Sequence, residues 1–326
     1  MLELVNLSNY RTDLDLIDNN ATTLARFLQR HELAGLELML CETWNSSVHR
    51  REWIQGSHLH FWPSWLDFWR GDTAELLRQF HSEEAVIAIY GGLKRDDWLE
   101  RYRDNIRRSV AAGAKYLVLH VCHNRLEEIY DWRFEATSWE VAREACEWIN
   151  ELTPAIPDDV ELLLENLWWP GLTLLDRELT AYLLGTIQHP RVGLMLDTGH
   201  LMNTNQDLVD EEDGVDYILR VLDRLGDLCG RIRGMHLHCS LSGDYVRRMQ
   251  QTDRLPRDIM EDMRHVMRID RHEPFATDTA RRLLDYVQPQ WLIHEFVQKS
   301  PLDWETKVAG QRAALELAGC KCRNVG

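Results

Sequence analysis

The sequence predicts an α/β protein folded as a single-domain (β/α)8 barrel, the TIM-barrel architecture, with long inserts after the third and seventh strands. Three observations carry that prediction. Short β-rich runs recur along the chain, amphipathic helical patterns fill most of the gaps, and titratable residues gather where the runs end. The length of 326 residues agrees, because α/β barrels of this size commonly form one domain. Residues 1–318 are assigned to the barrel and 319–326 to a C-terminal tail.

The runs, in order, are LELVNLS (2–8), LELML (36–40), SHLHF (57–61), KYLVLHV (115–121), VELLLEN (160–166), VGLMLD (192–197), IRGMHLH (232–238) and WLIHEF (291–296). Eight strands alternating with helices point to a closed parallel sheet covered by helices. Val215, Ile218, Leu219, Leu222 and Leu225 follow the spacing of an amphipathic helix, and Leu175, Leu179, Leu183 and Ile187 do the same before the sixth run. Residues 62–114 hold two helical patterns and AVIAIY (85–90), which reads as a candidate extra strand. Residues 239–272 form the other long insert. No Pro/Gly/Ser linker, repeat or low-complexity segment divides the chain.

Composition narrows the function. Apolar residues make up 44%, enough for a sizeable core. The net charge of −16, from 53 acidic against 37 basic residues, argues against broad nucleic-acid binding but leaves room for a local basic groove. No apolar run approaches the roughly 20 residues of a membrane span, and the Met1–Leu4 start lacks the basic residues of a signal peptide. Seven scattered cysteines fit reduced thiols in a cytoplasmic protein, and Cys320-Lys-Cys322 is too isolated for a zinc site.

The placement of titratable residues is more specific. His58 and His60 lie on the third strand and His120 ends the fourth. Glu165 ends the fifth, Asp197 ends the sixth with His200 just beyond, His236 and His238 lie on the seventh, and Glu295 lies near the end of the eighth. Asp270 and His272 follow in the loop after the seventh strand, and Glu42 follows the second. In a parallel barrel all C-terminal strand ends meet on one face. Carboxylates and imidazoles converging there without thiolates suit one to three divalent ions of Mn, Zn, Mg or Fe. A cation also offsets the cost of burying several carboxylates together. Alternation does not choose between His58 and His60, or between His236 and His238. His123 and His294 read as structural, and His31, His49, His189 and His265 as surface or helix residues. Trp44, Trp62, Trp65, Trp168 and Trp169 follow strands on the same face, where each either meets a small polar ligand or roofs the barrel.

ENLWWPG (165–171), LDTGHLMN (196–203), GMHLH (234–238), DRH (270–272) and HEF (294–296), in this order, resemble the xylose isomerase-like TIM barrels. That group includes sugar isomerases, epimerases and apurinic-site endonucleases, and the resemblance runs from about residue 2 to 318. Its ketose 3-epimerase pattern implies one metal held by Glu165, Asp197, His236 and Glu295, with the two glutamates also moving the proton and His200 contacting substrate. Its endonuclease pattern implies three zinc ions on nine ligands: His58, His120, Glu165, Asp197, His200, His236, Asp270, His272 and Glu295. The Asp-x-His step favours the latter, since epimerases usually carry an Arg-containing segment there.

Weighed together, the resemblance and the composition point to a metal-dependent sugar or sugar-phosphate isomerase/epimerase. Glu165 and Glu295 would be catalytic, and His200, Trp168, Trp169, Trp62 and His238 would contact the substrate. The alternatives are a multinuclear phosphoesterase, an iron-dependent oxidase and a non-catalytic binding barrel. The expected partner is a sugar-like small molecule, with no nucleic acid and no membrane, and homo-oligomers are within the habits of the group.

Overall fold

The computed structural model describes residues 1–251 and 259–317, so Cys320, Cys322 and the assigned tail lie outside the described residues. Eight parallel strands close in chain order into a barrel: β1 (Leu2–Ser8), β2 (Gly35–Met39), β3 (Ile54–His58), β4 (Tyr116–His120), β5 (Glu161–Glu165), β6 (Val192–Asp197), β7 (Ile232–Leu237) and β8 (Trp291–His294). β5 and β6 are buried on both faces almost throughout, which explains why ELLLE and VGLMLD are nearly continuous in apolar residues.

The two faces have separate cores. Leu162, Leu164, Leu194 and Leu196 pack outward against helix residues such as Val215, Ile218 and Leu222. The other set, Leu4, Val118, Leu163, Met195 and Ile293, fills the barrel interior with Tyr116 and Trp291. The helix Glu211–Leu225 shows how sequence sets this up. Asp210 accepts from the Asp213 N–H at its start, three acidic residues complement its first turn, and Val215, Ile218, Val221, Leu222 and Leu225 form its buried stripe.

Several local expectations are corrected. AVIAIY is not a strand but the helix Glu83–Tyr90, where Ser82 accepts from the Ala85 N–H and Gly91 ends the helix in a left-handed conformation. These caps outweigh the β propensity of Val and Ile. The insert after β3 therefore holds helices Leu66–Arg70, Thr73–Phe80, Glu83–Tyr90 and Arg95–Ala112, and the one after β7 holds Gly243–Gln250 and Ile259–Ile269.

β3 stops at His58, so His60 lies beyond it with Nε2 on the Leu40 carbonyl. His31, His49 and His189 are buried rather than on the surface, and His265 lies on the helix Ile259–Ile269, one of the two expected placements, and is buried too. His265, for example, stacks on Tyr130 and joins the Tyr245 hydroxyl to the Ile129 carbonyl. Among the described residues, no helix is long and apolar enough to cross a membrane.

Candidate metal centre

Strand register sets the site. His120 pairs with Glu165 and Asp197 with His236, so adjacent strands deliver their donors at one level of the barrel mouth. His58 ends β3, and Glu295 follows β8 directly. Asp197 also starts the helix Thr198–Asn203 and accepts from the His200 N–H at 2.6 Å, which turns His200 into the mouth one residue past Gly199. A Cβ at Gly199 would lie 2.0 Å from the His238 ring, so only glycine allows this helix to approach β7 so closely. Asn166 clamps β5 to β6, donating to the Asp197 carbonyl and accepting from its N–H.

The donors fall into three groups, each with its atoms within 4.8 Å of one another. These are His58, His120 and Glu165; Glu165, Asp197, His236 and Glu295; and His200, His238, Asp270 and His272. All nine residues of the endonuclease-like pattern are therefore brought together, with His238 in addition. Glu165 belongs to two groups. Its Oε2 lies 3.0 Å from His58 Nε2 and 2.9 Å from His120 Nε2, and its Oε1 lies 3.0 Å from His236 Nδ1. In the outer group, Asp270 Oδ2 lies 3.0 Å from His200 Nε2 and 3.3 Å from His272 Nε2, and His238 Nε2 lies 3.0 Å from Asp197 Oδ2.

The far nitrogen of each of four histidines is held by a group that only accepts. His58 Nδ1 donates to the Leu59 carbonyl, His200 Nδ1 to the Asn166 carbonyl and His272 Nδ1 to the Asp270 carbonyl, while His236 Nε2 donates to Glu37. When these rings are neutral, the nitrogen facing the carboxylates is a lone pair. Lone pair and carboxylate oxygen some 3 Å apart repel unless a proton or a cation lies between them. The donor set therefore fits divalent cations of the Mn, Zn, Mg or Fe type. His120 Nδ1, Asp270 Oδ1 and Glu295 Oε2, which make no hydrogen bond among the described residues, agree with that.

Charge shifts follow the same geometry. Burial works to raise Glu165 and Asp197, yet the imidazoles beside them (His120 and His236 for Glu165, His200 and His238 for Asp197) hold both well below the usual carboxylate range. Burial works to lower His200 and His236, yet Asp197 and Asp270 hold the first, and Glu295, Glu37 and Glu165 the second, well above the imidazole range. A proton on each ring does here what a bound cation would do.

Glu37, inside β2, was not singled out from sequence. It is buried and joins His236 Nε2, at 3.0 Å, to the Tyr116 hydroxyl, at 2.9 Å. A lone acid inside the apolar run LELML was its only signal. Glu42, in contrast, meets Asn9 and Arg108 through its backbone carbonyl and joins none of the groups. Trp62, Trp168 and Trp169 line a cavity of about 490 Å³ that reaches His120, His200 and Asp270. Trp44 and Trp65 do not: Trp44 packs against the apolar cluster around β1 and β2, and Trp65 is buried among Trp98 and Trp148. A second cavity, of about 560 Å³, is lined by Arg248, Arg268, Arg271, Lys299 and Lys307 against Asp244 and Glu273, and by none of the donor residues.

A sequence model described as a xylose isomerase-like TIM barrel matches residues 51–317. No protein of curated function matches the sequence. Among solved structures, the fold is similar to endonuclease IV from Thermus thermophilus, at 15% identity over 98% of this chain and 100% of that one, with a TM-score of 0.52. A putative xylose isomerase from Rhodospirillum rubrum gives 15% identity over 96% and 99%, TM-score 0.52. A D-tagatose 3-epimerase-like protein gives 13% over 98% of each chain, TM-score 0.51. At such identities the likeness is one of fold.

Proposed function

Because the chain belongs to the xylose isomerase-like TIM barrel family, we propose that its mouth is a multinuclear divalent-metal centre that hydrolyses a phosphoester. One observation carries this reading: the donors sort into three groups, and Glu165 is shared by two of them. Divalent cations held by these three groups would supply Lewis acidity toward water and phosphoryl oxygens. The chain's own residues do the positioning. Glu165 spans the two inner groups, Glu37 braced by Tyr116 fixes the His236 ring, and Asn166 fixes Asp197. In the reaction a water oxygen bonds to phosphorus and the ester P–O bond breaks, its electron pair leaving with the alcohol oxygen. The proton released by the water ends on that oxygen.

The isomerase reading has its own support, since Glu165, Asp197, His236 and Glu295 form a sufficient one-metal group. It requires a glutamate oxygen free to take a proton from carbon. Both Glu165 oxygens lie within 3.0 Å of imidazole nitrogens, so in that reading Glu295, whose Oε1 lies 4.0 Å from His272 Nε2, would take the proton.

The test is metal analysis of protein purified without chelators, paired with assays on 4-nitrophenyl phosphate. The expected result is two or three ions per chain and a hydrolysis that dipicolinate abolishes and Zn²⁺ or Mn²⁺ restores. One ion per chain, with proton exchange on ketoses and no ester hydrolysis, would replace this reading with the isomerase one.

A further inference from the structure

The cavity that meets the inner and outer donor groups has an unusual wall for a sugar site. At its inner end stand His120, His200 and Asp270, and the rings of Phe61 and Trp168 pack edge-on against His120 and His200, at centroid distances of 4.5 and 5.1 Å. Beyond that throat the wall is mostly aromatic and aliphatic, including Trp62, Trp169 and Val266, and at the rim Met263 is exposed.

A bare sugar or sugar phosphate carries several hydroxyls, each of which loses water on entry and needs a partner. This wall has few to offer. Its polar side chains are few: Ser64 and Asn124, the Asp262 carboxylate, which accepts from the Tyr130 hydroxyl, and the buried indole N–H groups of Trp168 and Trp169. An apolar chamber with a few unused polar atoms and the reactive groups at one end is instead the form of a site for a largely hydrophobic ligand. Methionine at the rim, on the helix Ile259–Ile269, adapts to such a surface.

We infer that the substrate carries, beside the group acted on at the donor cluster, a flat apolar moiety of ring size that occupies this cavity. Taken with the proposed hydrolysis, on which only the identity of the reacting group rests, this makes an aryl-type phosphoester the substrate class rather than a sugar phosphate. The 490 Å³ of space is enough for one or two fused rings.

Two binding measurements separate the parts. The first uses 2-naphthol alone with the purified protein, followed by saturation-transfer NMR. Saturable binding is expected, with at least a fivefold loss in Val266→Trp, which fills the chamber. Met263→Glu changes an exposed rim residue, so it spares the fold; it is expected to weaken binding about threefold. No saturable binding, or binding unchanged in both variants, overturns the apolar site. The second uses phenylphosphonate and methylphosphonate with Zn²⁺-loaded protein in calorimetry. The phenyl compound is expected to bind at least tenfold more tightly, and equal affinities overturn the inference. If neither phosphonate binds while naphthol does, the phosphoester reading fails and the apolar site stands.

Discussion

Two layers of the same barrel interior, two residues apart on each strand, have opposite chemistry. Val118, Leu163 and Met195 fill the lower layer with Leu4 and Ile293. Two positions further along the same strands stand His120, Glu165 and Asp197, all within the donor groups. Alternation with a period of two sends both members of each pair to the same face, so the strand backbone treats them alike. What differs is the company. The lower layer holds apolar side chains that need only volume, whereas the upper layer holds carboxylates and imidazoles that are affordable only because they face one another. A barrel can thus confine reactive groups to one end without any change in its framework.

The largest expected effect comes from giving the upper layer the chemistry of the lower. Glu165→Leu removes the carboxylate shared by two groups. Turnover should fall at least about 10³-fold, roughly 4 kcal/mol of transition-state stabilisation, and the bound metal should drop by at least one ion per chain. Leu163→Ala, one layer down, should leave metal content unchanged and cost about 2–5 kcal/mol in urea unfolding. If the Glu165 variant kept its full metal content, the sharing of that residue would be wrong.

Tyr116 joins the layers, because its ring lies in the apolar set and its hydroxyl donates to Glu37 in the upper one. Tyr116→Phe should weaken metal affinity about 10- to 100-fold through the His236 ring, with stability lowered by only about 1–2 kcal/mol. Competition titration with a chromogenic chelator measures the first and urea unfolding the second. Equal metal affinity in the variant would show that Glu37 holds His236 without help.

The smallest effect concerns histidines outside the mouth. Burial pushes His49 and His123 down to about 4, Asp67 opposing this in part for His123. Their folded values lie below the ordinary 6.5, so the unfolded chain takes up more protons between the two. Stability from these residues is fully present above about pH 6.5 and is lost as pH falls through 4. His200 and His236, held high by carboxylates, stay protonated through that window in metal-free protein. The urea midpoint of metal-free protein should therefore decline from pH 7 to 4.5, and less steeply in His49→Gln. A flat profile would contradict the burial of the two rings as neutral species.

The barrel and the residues at its mouth are legible along the chain, because buried parallel strands leave apolar runs and polar residues at their ends stand out. The branched apolar residues of AVIAIY mimic a strand, although Ser82 and Gly91 carry the capping signals of a helix. How the donors group emerges on folding, through strand register. Pairing of His120 with Glu165 and of Asp197 with His236 places atoms from distant strands within hydrogen-bond distance, and nothing local encodes that. The same holds for Glu37, which local sequence presents as one acid in a strand and the fold turns into the support of His236. It holds as well for the oxygens of Glu165, which the fold sets between histidines of β3, β4 and β7.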